Sequence, residues 1–364
     1  MKRQRVPPLA VGVASSKGRK QAQEDVPLVA HCIGDDEERS FYAVLDGHGG
    51  RHCAAWAAER LPQLLASHLA HAASSPEVKD GIRQAFVQCD DELLDECRRA
   101  AWSDGCCVIG LLVDRKCTPP RVYCANLGDS RAYACVVPPV DGDTSARPAA
   151  PPSTAHEPRD EAHAVATAAA HEPRDEAPAV ASTTAQKPRD EAHAVGAVPP
   201  APRAVPLSKD HSPSDAKERK RIEAAGGNVV EGRVCGSLEV SRSLGDVRLK
   251  RHGLLASPDV TSFAVGAEQR FVLLACDGLW KAFSGKEAVE FVHERLPRMD
   301  ARRRELNRTL GDAVALSAMT REAVDTLQKE REAMSEDAIL RKLVHEAVHN
   351  RSAKDNVTCI LVRL

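Results

Sequence analysis

The side chains equipped for chemistry in this sequence are carboxylates placed where apolar runs stop. Phe41-Tyr-Ala-Val-Leu45 is closed at once by Asp46-Gly47-His48-Gly49-Gly50. A short apolar and aromatic run of this kind predicts a buried strand, with Asp46 at its end. Asp277-Gly278 closes the run Arg270-Phe-Val-Leu-Leu-Ala-Cys276 in the same way, and Asp355 immediately precedes the run Asn356 to Val362. Asp104-Gly105 precedes a fourth run, and Glu24-Asp25 precedes a strand predicted over Val26 to Cys32. If neighbouring strand ends meet at one rim, these carboxylates share a small volume and cannot all stay ionised without a cation. Oxygen donors with no nearby His or Cys cluster suit hard ions such as Mg²⁺ or Mn²⁺. A pair of such ions can activate a water for in-line attack on phosphorus. His48 adds the side chain best suited to proton transfer near neutral pH. Any one of these Asp residues alone is most simply a turn former. Their repetition at strand ends argues for more.

The bulk composition removes other classes of function. The chain has 364 residues, enough for one large domain or two smaller ones. Its 50 basic and 52 acidic side chains leave a formal charge of -2, which gives no basis for a general nucleic-acid binder. No apolar run approaches the about 18 residues of a membrane span, and the basic start Met1-Lys-Arg-Gln-Arg lacks a signal-peptide core. Twelve cysteines occur with no Cys-x-x-Cys spacing, several of them in apolar strand-like runs. That usage points to a cytoplasmic or nuclear protein with neither a disulfide framework nor a zinc site.

The elements that must position the carboxylates follow from periodicity. Residues 51–71 and 77–101 carry apolar positions at helical spacing and predict two amphipathic helices. Residues 104–113 and 121–135 predict three more strands linked by turns, and a helix is expected from about Pro213 to Ala225, stopped by Gly226-Gly227. Residues 285–296 and 301–350 also predict helices. Strands, then helices, then strands is an α+β order. Residues 138–206 differ in kind. They are rich in Ala and Pro and repeat His156-Glu-Pro-Arg-Asp-Glu-Ala, His171-Glu-Pro-Arg-Asp-Glu-Ala and Gln186-Lys-Pro-Arg-Asp-Glu-Ala at a period of 15 residues. With so little to bury, this stretch reads as a disordered insertion in a surface loop, or as a segment that docks a partner.

Asp46-Gly-His-Gly-Gly, Leu127-Gly-Asp-Ser-Arg131, Ser241-Arg-Ser-Leu-Gly-Asp246, Asp277-Gly-Leu-Trp and Asp355-Asn-Val-Thr together resemble the metal-dependent protein serine/threonine phosphatases of type 2C. The motifs occur in the family's order and span the chain apart from 138–206 and part of 298–335. Ala224-Ala-Gly-Gly-Asn and Leu238-Glu-Val-Ser-Arg-Ser-Leu-Gly-Asp look most like its integrin-linked kinase-associated branch. The resemblance implies a single domain over 1–364, folded as an αββα sandwich of two antiparallel sheets flanked by helices. Within that domain 298–335 would be an extra helical segment. The resemblance implies two Mg²⁺ or Mn²⁺ ions, phosphoserine and phosphothreonine proteins as substrates, and a monomer. Asp46 would bridge the metals, Gly47 would offer its carbonyl, Asp277 and Asp355 would complete the second ion, and Glu24 and Asp25 would act through metal-bound waters. A bridging water would attack the phosphate, and His48 would protonate the leaving oxygen.

Three departures from the family pattern bear on activity. Lys20, with Arg19 beside it, stands where an Arg clamps the substrate phosphate. It keeps the charge and loses the bidentate fork. Asp104-Gly-Cys-Cys replaces a hydroxyl-bearing segment. Lys281 stands four residues after Asp277, where many members carry an Asp that, with the counterpart of Asp104, helps bind a third metal. An ammonium there is expected to take that cation's place. The alternative to an active enzyme is a pseudophosphatase scaffold on the same fold.

Overall fold

The computed structural model describes residues 7–138, 201–317 and 319–364. Strands β1 (Val11–Ser16), β2 (Val26–Ala30) and β3 (Arg39–His48) lead into the long helices α1 (His52–Leu69) and α2 (Ser75–Ala100). Next come β4 (Gly105–Asp114), β5 (Arg121–Leu127), β6 (Arg131–Val136) and β7 (Arg203–Pro206). Helix α3 (Ala216–Ala224) precedes the short strands β8 (Val229–Val230), β9 (Arg233–Val234) and β10 (Leu244–Gly245), then β11 (Asp259–Ala264) and β12 (Gln269–Ala275). Helices α4 (Asp277–Trp280), α5 (Gly285–Gly311), α6 (Ala313–Ser317), α7 (Arg321–Ala333) and α8 (Glu336–His345) lead to the final strand, β13 (Val357–Arg363).

Eleven of the strands form two antiparallel sheets, ordered β11-β5-β4-β3-β2 with β10 added to β4, and β1-β13-β12-β6-β7, while β8 and β9 pair only with each other. The period-2 geometry of a strand sorts their side chains into three cores. Phe41, Ala43 and Leu45 of β3 pack with Leu61, Leu65, Ile82 and Phe86 of α1 and α2. Tyr42 and Val44 face the other way and meet Val272, Leu274, Ile360 and Val362 of the opposite sheet. That sheet's outer face, through Phe271, Leu273 and Leu361, packs on Val289 and Val292 of α5 and on Leu340 and Leu343 of α8. The result is the expected α+β fold, an αββα sandwich. Because β3 and β4 are covered on both faces, their sequences read as almost unbroken apolar runs. Among the described residues no helix is long and apolar enough to cross a membrane, and all twelve cysteines are unpaired.

Local signals set most boundaries. Ser74 and Glu77 form a reciprocal capping box at the start of α2, and Ser284 and Glu287 do the same for α5. The expected break near Pro297 does not occur. Helix α5 runs through it because Ala288, Val289, Val292, Leu296, Met299 and Leu306 keep one apolar stripe buried, and that burial outweighs the proline penalty. The helix expected over 301–350 is instead the end of α5, then α6, α7, α8 and a π-helical turn at Glu346–Asn350. Residues 298–335 therefore hold the end of α5 together with α6 and α7. At the edge of the stretch read as an insertion, Arg203–Pro206 is strand β7 and pairs with β6. The three repeats lie outside the described residues.

At the end of β3 remote from Asp46, a charged pair is sealed inside the fold. Arg39 and Asp114 face each other across the β3–β4 ladder, each at most 2% exposed. Arg39 Nε donates to Asp114 Oδ2 at 3.0 Å, and its two terminal nitrogens donate to the carbonyls of Leu69 and Ala72 at the end of α1. The guanidinium thus closes the helix C-terminus onto the sheet. Removing one partner strands the other without compensation, so Asp114→Ala is expected to lower stability by about 3–5 kcal/mol. A urea titration checks this, and a loss below about 1 kcal/mol would contradict it.

Candidate active site

Antiparallel pairing brings the carboxylates to one rim. β3 ends there and its neighbours begin there, with Leu45 opposite Val26 of β2 and His48 opposite Gly105 of β4. In the other sheet β12 ends where β13 begins, with Ala275 opposite Cys359. The two ends are joined by the β5–β6 connection, where Ser130 Oγ lies 3.4 Å from Asp46 Oδ2. Asn356 fixes the remaining loop. Its side chain accepts from Glu24 N–H at 2.9 Å and donates to the carbonyls of Lys17 and Ala22. Gly47 has no room for a side chain, since a Cβ would stand 2.5 Å from the Glu24 carbonyl oxygen. That close approach lets β3 and the 17–24 loop share the rim.

Asp46, Asp25, Asp277, Asp355 and Asp129 crowd one another. Burial, and then the charges of Asp25, Asp277, Asp129 and Asp355, hold the Asp46 carboxyl well above the usual carboxylate range. Burial lifts Asp25 to about 6. Burial, followed by the charges of Asp277 and Asp210, lifts Asp129 to about 6 as well. Both oxygens of Asp25 are buried without a hydrogen-bond partner, although Thr358, Cys276 and Asp46 lie nearby. Single ligand atoms of Asp25, Asp46 and Cys276 all fall within 4.8 Å of one another. The Cys276 thiol is already committed, donating to the Asn356 carbonyl and accepting from Thr358 N–H, and burial pushes its pKa far up. A neutral thiol is a poor donor to a hard cation. Orphaned buried carboxylate oxygens are the right donors for one, so the residues fit Mg²⁺ or Mn²⁺.

Two ammonium groups stand among these carboxylates. Lys20 Nζ reaches Asp355 Oδ1 at 3.0 Å, and that contact raises its pKa. Lys281 Nζ pairs with Asp277 Oδ2 and lies 3.8 Å from Asp355 Oδ2. Burial opposes the Lys281 charge, but Asp277, Asp355 and Asp129 outweigh it. Arg19 is exposed and takes part in no ion pair among the described residues.

Asp104, expected to help hold a third metal, packs against the Gly49-Gly50 turn with its carboxylate engaged at the start of α1. Its Oδ2 accepts from Cys53 N–H at 2.9 Å, at the start of α1, and its Oδ1 lies 3.7 Å from His52 Nδ1. The ladder explains this: Gly105 pairs with His48, so Asp104 lies past the end of β3, behind the turn into α1. The carboxylate that does stand beside Asp277 is Asp129, which sequence reasoning missed. Leu127-Gly-Asp-Ser-Arg131 reads as a hairpin turn, yet β5 and β6 belong to different sheets and the turn crosses the rim. Also missed was the partner of His48. Its Nε2 lies 2.7 Å from Asp246 Oδ2, and although burial alone would lower the imidazole pKa, this carboxylate outweighs it and raises it.

The chain matches the family described as Protein phosphatase 2C over residues 9–162 and 200–321. It is 30% identical over 369 residues to the human integrin-linked kinase-associated serine/threonine phosphatase 2C, covering 97% of this chain and 71% of that protein. It is 29% identical to the rice (Oryza sativa subsp. japonica) probable protein phosphatase 2C 67, covering 96% and 73%. Among solved structures, a serine-threonine phosphatase 2C from Toxoplasma gondii superposes with a TM-score of 0.59 at 18% identity, covering 98% of this chain and 95% of that one.

The crowding predicts opposite effects on stability and on cation binding. A carboxyl whose pKa is raised by folding contributes fully below its ordinary pKa and loses that contribution as the pH rises from the ordinary value to the raised one, because folding must then bind a proton or bury the charge. Without divalent ions Asp46→Asn is expected to raise the melting temperature at pH 8 by about 3 °C and to change it little at pH 4. Adding Mn²⁺ is expected to raise the melting temperature of the wild type and not of the variant. Scanning calorimetry in EDTA and in Mn²⁺ checks both, and a variant that melts lower than wild type in EDTA at pH 8 would contradict the crowding.

Proposed function

This chain belongs to the protein phosphatase 2C family of protein serine/threonine phosphatases, and from that premise we propose that it hydrolyses phosphoserine and phosphothreonine in proteins with two Mg²⁺ or Mn²⁺ ions as cofactors. The observation that carries this reading is the pair of buried, unpartnered Asp25 oxygens within a cluster of raised-pKa carboxylates. Asp46, the Gly47 carbonyl, Asp277 and Asp355 would hold the ions, with Glu24 and Asp25 acting through water. When bound, the ions lower the pKa of a water and neutralise charge developing on the phosphate.

The other roles fall to the chain's own side chains. Lys20 orients the substrate phosphate as a point charge, which gives weaker positioning than a guanidinium fork. His48 delivers a proton to the departing serine or threonine oxygen, so that no bare alkoxide is expelled. Lys281, set against Asp277, Asp355 and Asp129, supplies positive charge where a further cation would otherwise be needed, so a third ion is weak or absent. Free thiols throughout support residence in the cytoplasm, the nucleus or both. The engagement of both lysines with Asp277 and Asp355 favours, as the second reading, a scaffold that keeps the fold without turnover.

Phosphate release from a phosphothreonine peptide decides between the two. Wild type is expected to turn over with Mn²⁺ or Mg²⁺ and to stop in EDTA, and Asp46→Ala is expected to lose at least about 100-fold. Lys20→Arg is expected to lower KM severalfold by restoring the fork. A folded wild type inactive with either metal would establish the scaffold instead.

A further inference from the structure

The contact between His48 and Asp246 is built into the fold at several points. Asp246 is 8% exposed, and Ser243 Oγ donates at 2.6 Å to the same Oδ2 that faces His48. Its backbone N–H donates to the Asp104 carbonyl at 3.0 Å. Its φ is 50°, in the left-handed region that Asp tolerates better than most L-residues, and this turn of the backbone aims the side chain. The preceding Gly245 N–H is held by Asp90 Oδ1 at 2.8 Å. Lys250 then ties Asp90 Oδ2 to the Ser243 carbonyl, at 2.7 Å each. Gly105, opposite His48 in the ladder, keeps the space open, since a Cβ there would stand 2.1 Å from Asp246 Oδ2 and 2.7 Å from His48 Nε2. The Asp246 oxygen held by Ser243 is the one that meets the histidine.

We infer that Asp246 is the positioning residue for His48: it accepts the Nε2–H, fixes the ring, and leaves Nδ1 facing the leaving oxygen of the substrate. The inference rests on the hydrolytic reading above. In that reaction the water oxygen forms a bond to phosphorus and the ester P–O bond breaks. The departing oxygen takes the proton from Nδ1, and the proton lost by the water passes to the ring or to solvent. An alkoxide leaving from serine or threonine needs that proton, whereas p-nitrophenolate leaves without it. Misplacing His48 must therefore hurt alkyl esters far more than aryl esters, a bias that general loosening of the fold does not produce.

The test compares wild type, Asp246→Asn and His48→Ala in saturating Mn²⁺ on a phosphothreonine peptide and on p-nitrophenyl phosphate. Asn tolerates the left-handed backbone and preserves the shape. For Asp246→Asn, kcat on the peptide is expected to fall about 100-fold, with KM changed less than about twofold. The aryl ester is expected to lose less than about tenfold, and His48→Ala to shift the ratio in the same sense. Should Asp246→Asn fail to fold, Ser243→Ala, which removes one bond from the carboxylate, is expected to give a smaller shift in the same direction. Equal losses on both substrates, or an unchanged ratio, overturn the inference and leave the hydrolytic reading standing. A wild type that turns over neither substrate takes both down.

Discussion

Mutual repulsion among crowded carboxylates, one buried and four half-buried, is the constraint around which this structure is arranged. Five Asp side chains meet where the two sheets end, and their ordinary state in water, all ionised, is not available there. Protons, the ammonium groups of Lys20 and Lys281, and the divalent cations the site is fitted for are the three ways to relieve it. The rest of the fold makes the crowding tolerable. Three apolar cores lock β3, β12 and β13 in place, so that the strand ends cannot splay to separate the charges. Stability is given up at the rim and recovered in the layers, as is usual where function requires strain.

How far the sequence disclosed this depended on burial. β3, β4, β12 and β13 are covered on both faces, so each is an apolar run with a sharp stop, and Asp46, Asp277 and Asp355 could be read from those stops. β1 is half exposed, and its Val-Gly-Val-Ala-Ser-Ser shows no run to notice; only pairing with β13 makes it a strand. β11 escapes for the same reason. Pro297 misled because local propensity is weaker than a continuous buried stripe. Asp129 was missed because the decisive fact is which sheet a strand joins, and strand spacing does not carry that information.

The neighbourhood of His48 shows a different limit. Asp246 lies 198 residues away in sequence, and nothing near either residue advertises the pairing. Ser243, Gly245 and Asp246 form one short motif, yet its function becomes visible only when Asp90 and Lys250 are seen bracing it from α2 and from the turn after β10. Long-range polar contacts of this kind specify geometry more than they add stability, because each exchanges hydrogen bonds with water for hydrogen bonds within the protein.

The pairing of β1 with β13 also fixes an order of assembly. Val11 sits opposite Val362, and β13 is an interior strand between β1 and β12. A chain emerging from the ribosome can complete the β2–β3–β4–β5–β11 sheet once residue 264 is free. The other sheet must wait for residue 363. Until then β1 and β12 present open edges of the kind that recruit wrong partners, and Asp355 is not yet beside Asp46. Synthesis therefore passes through a stage in which half the sandwich is formed and the rim of carboxylates has not yet come together.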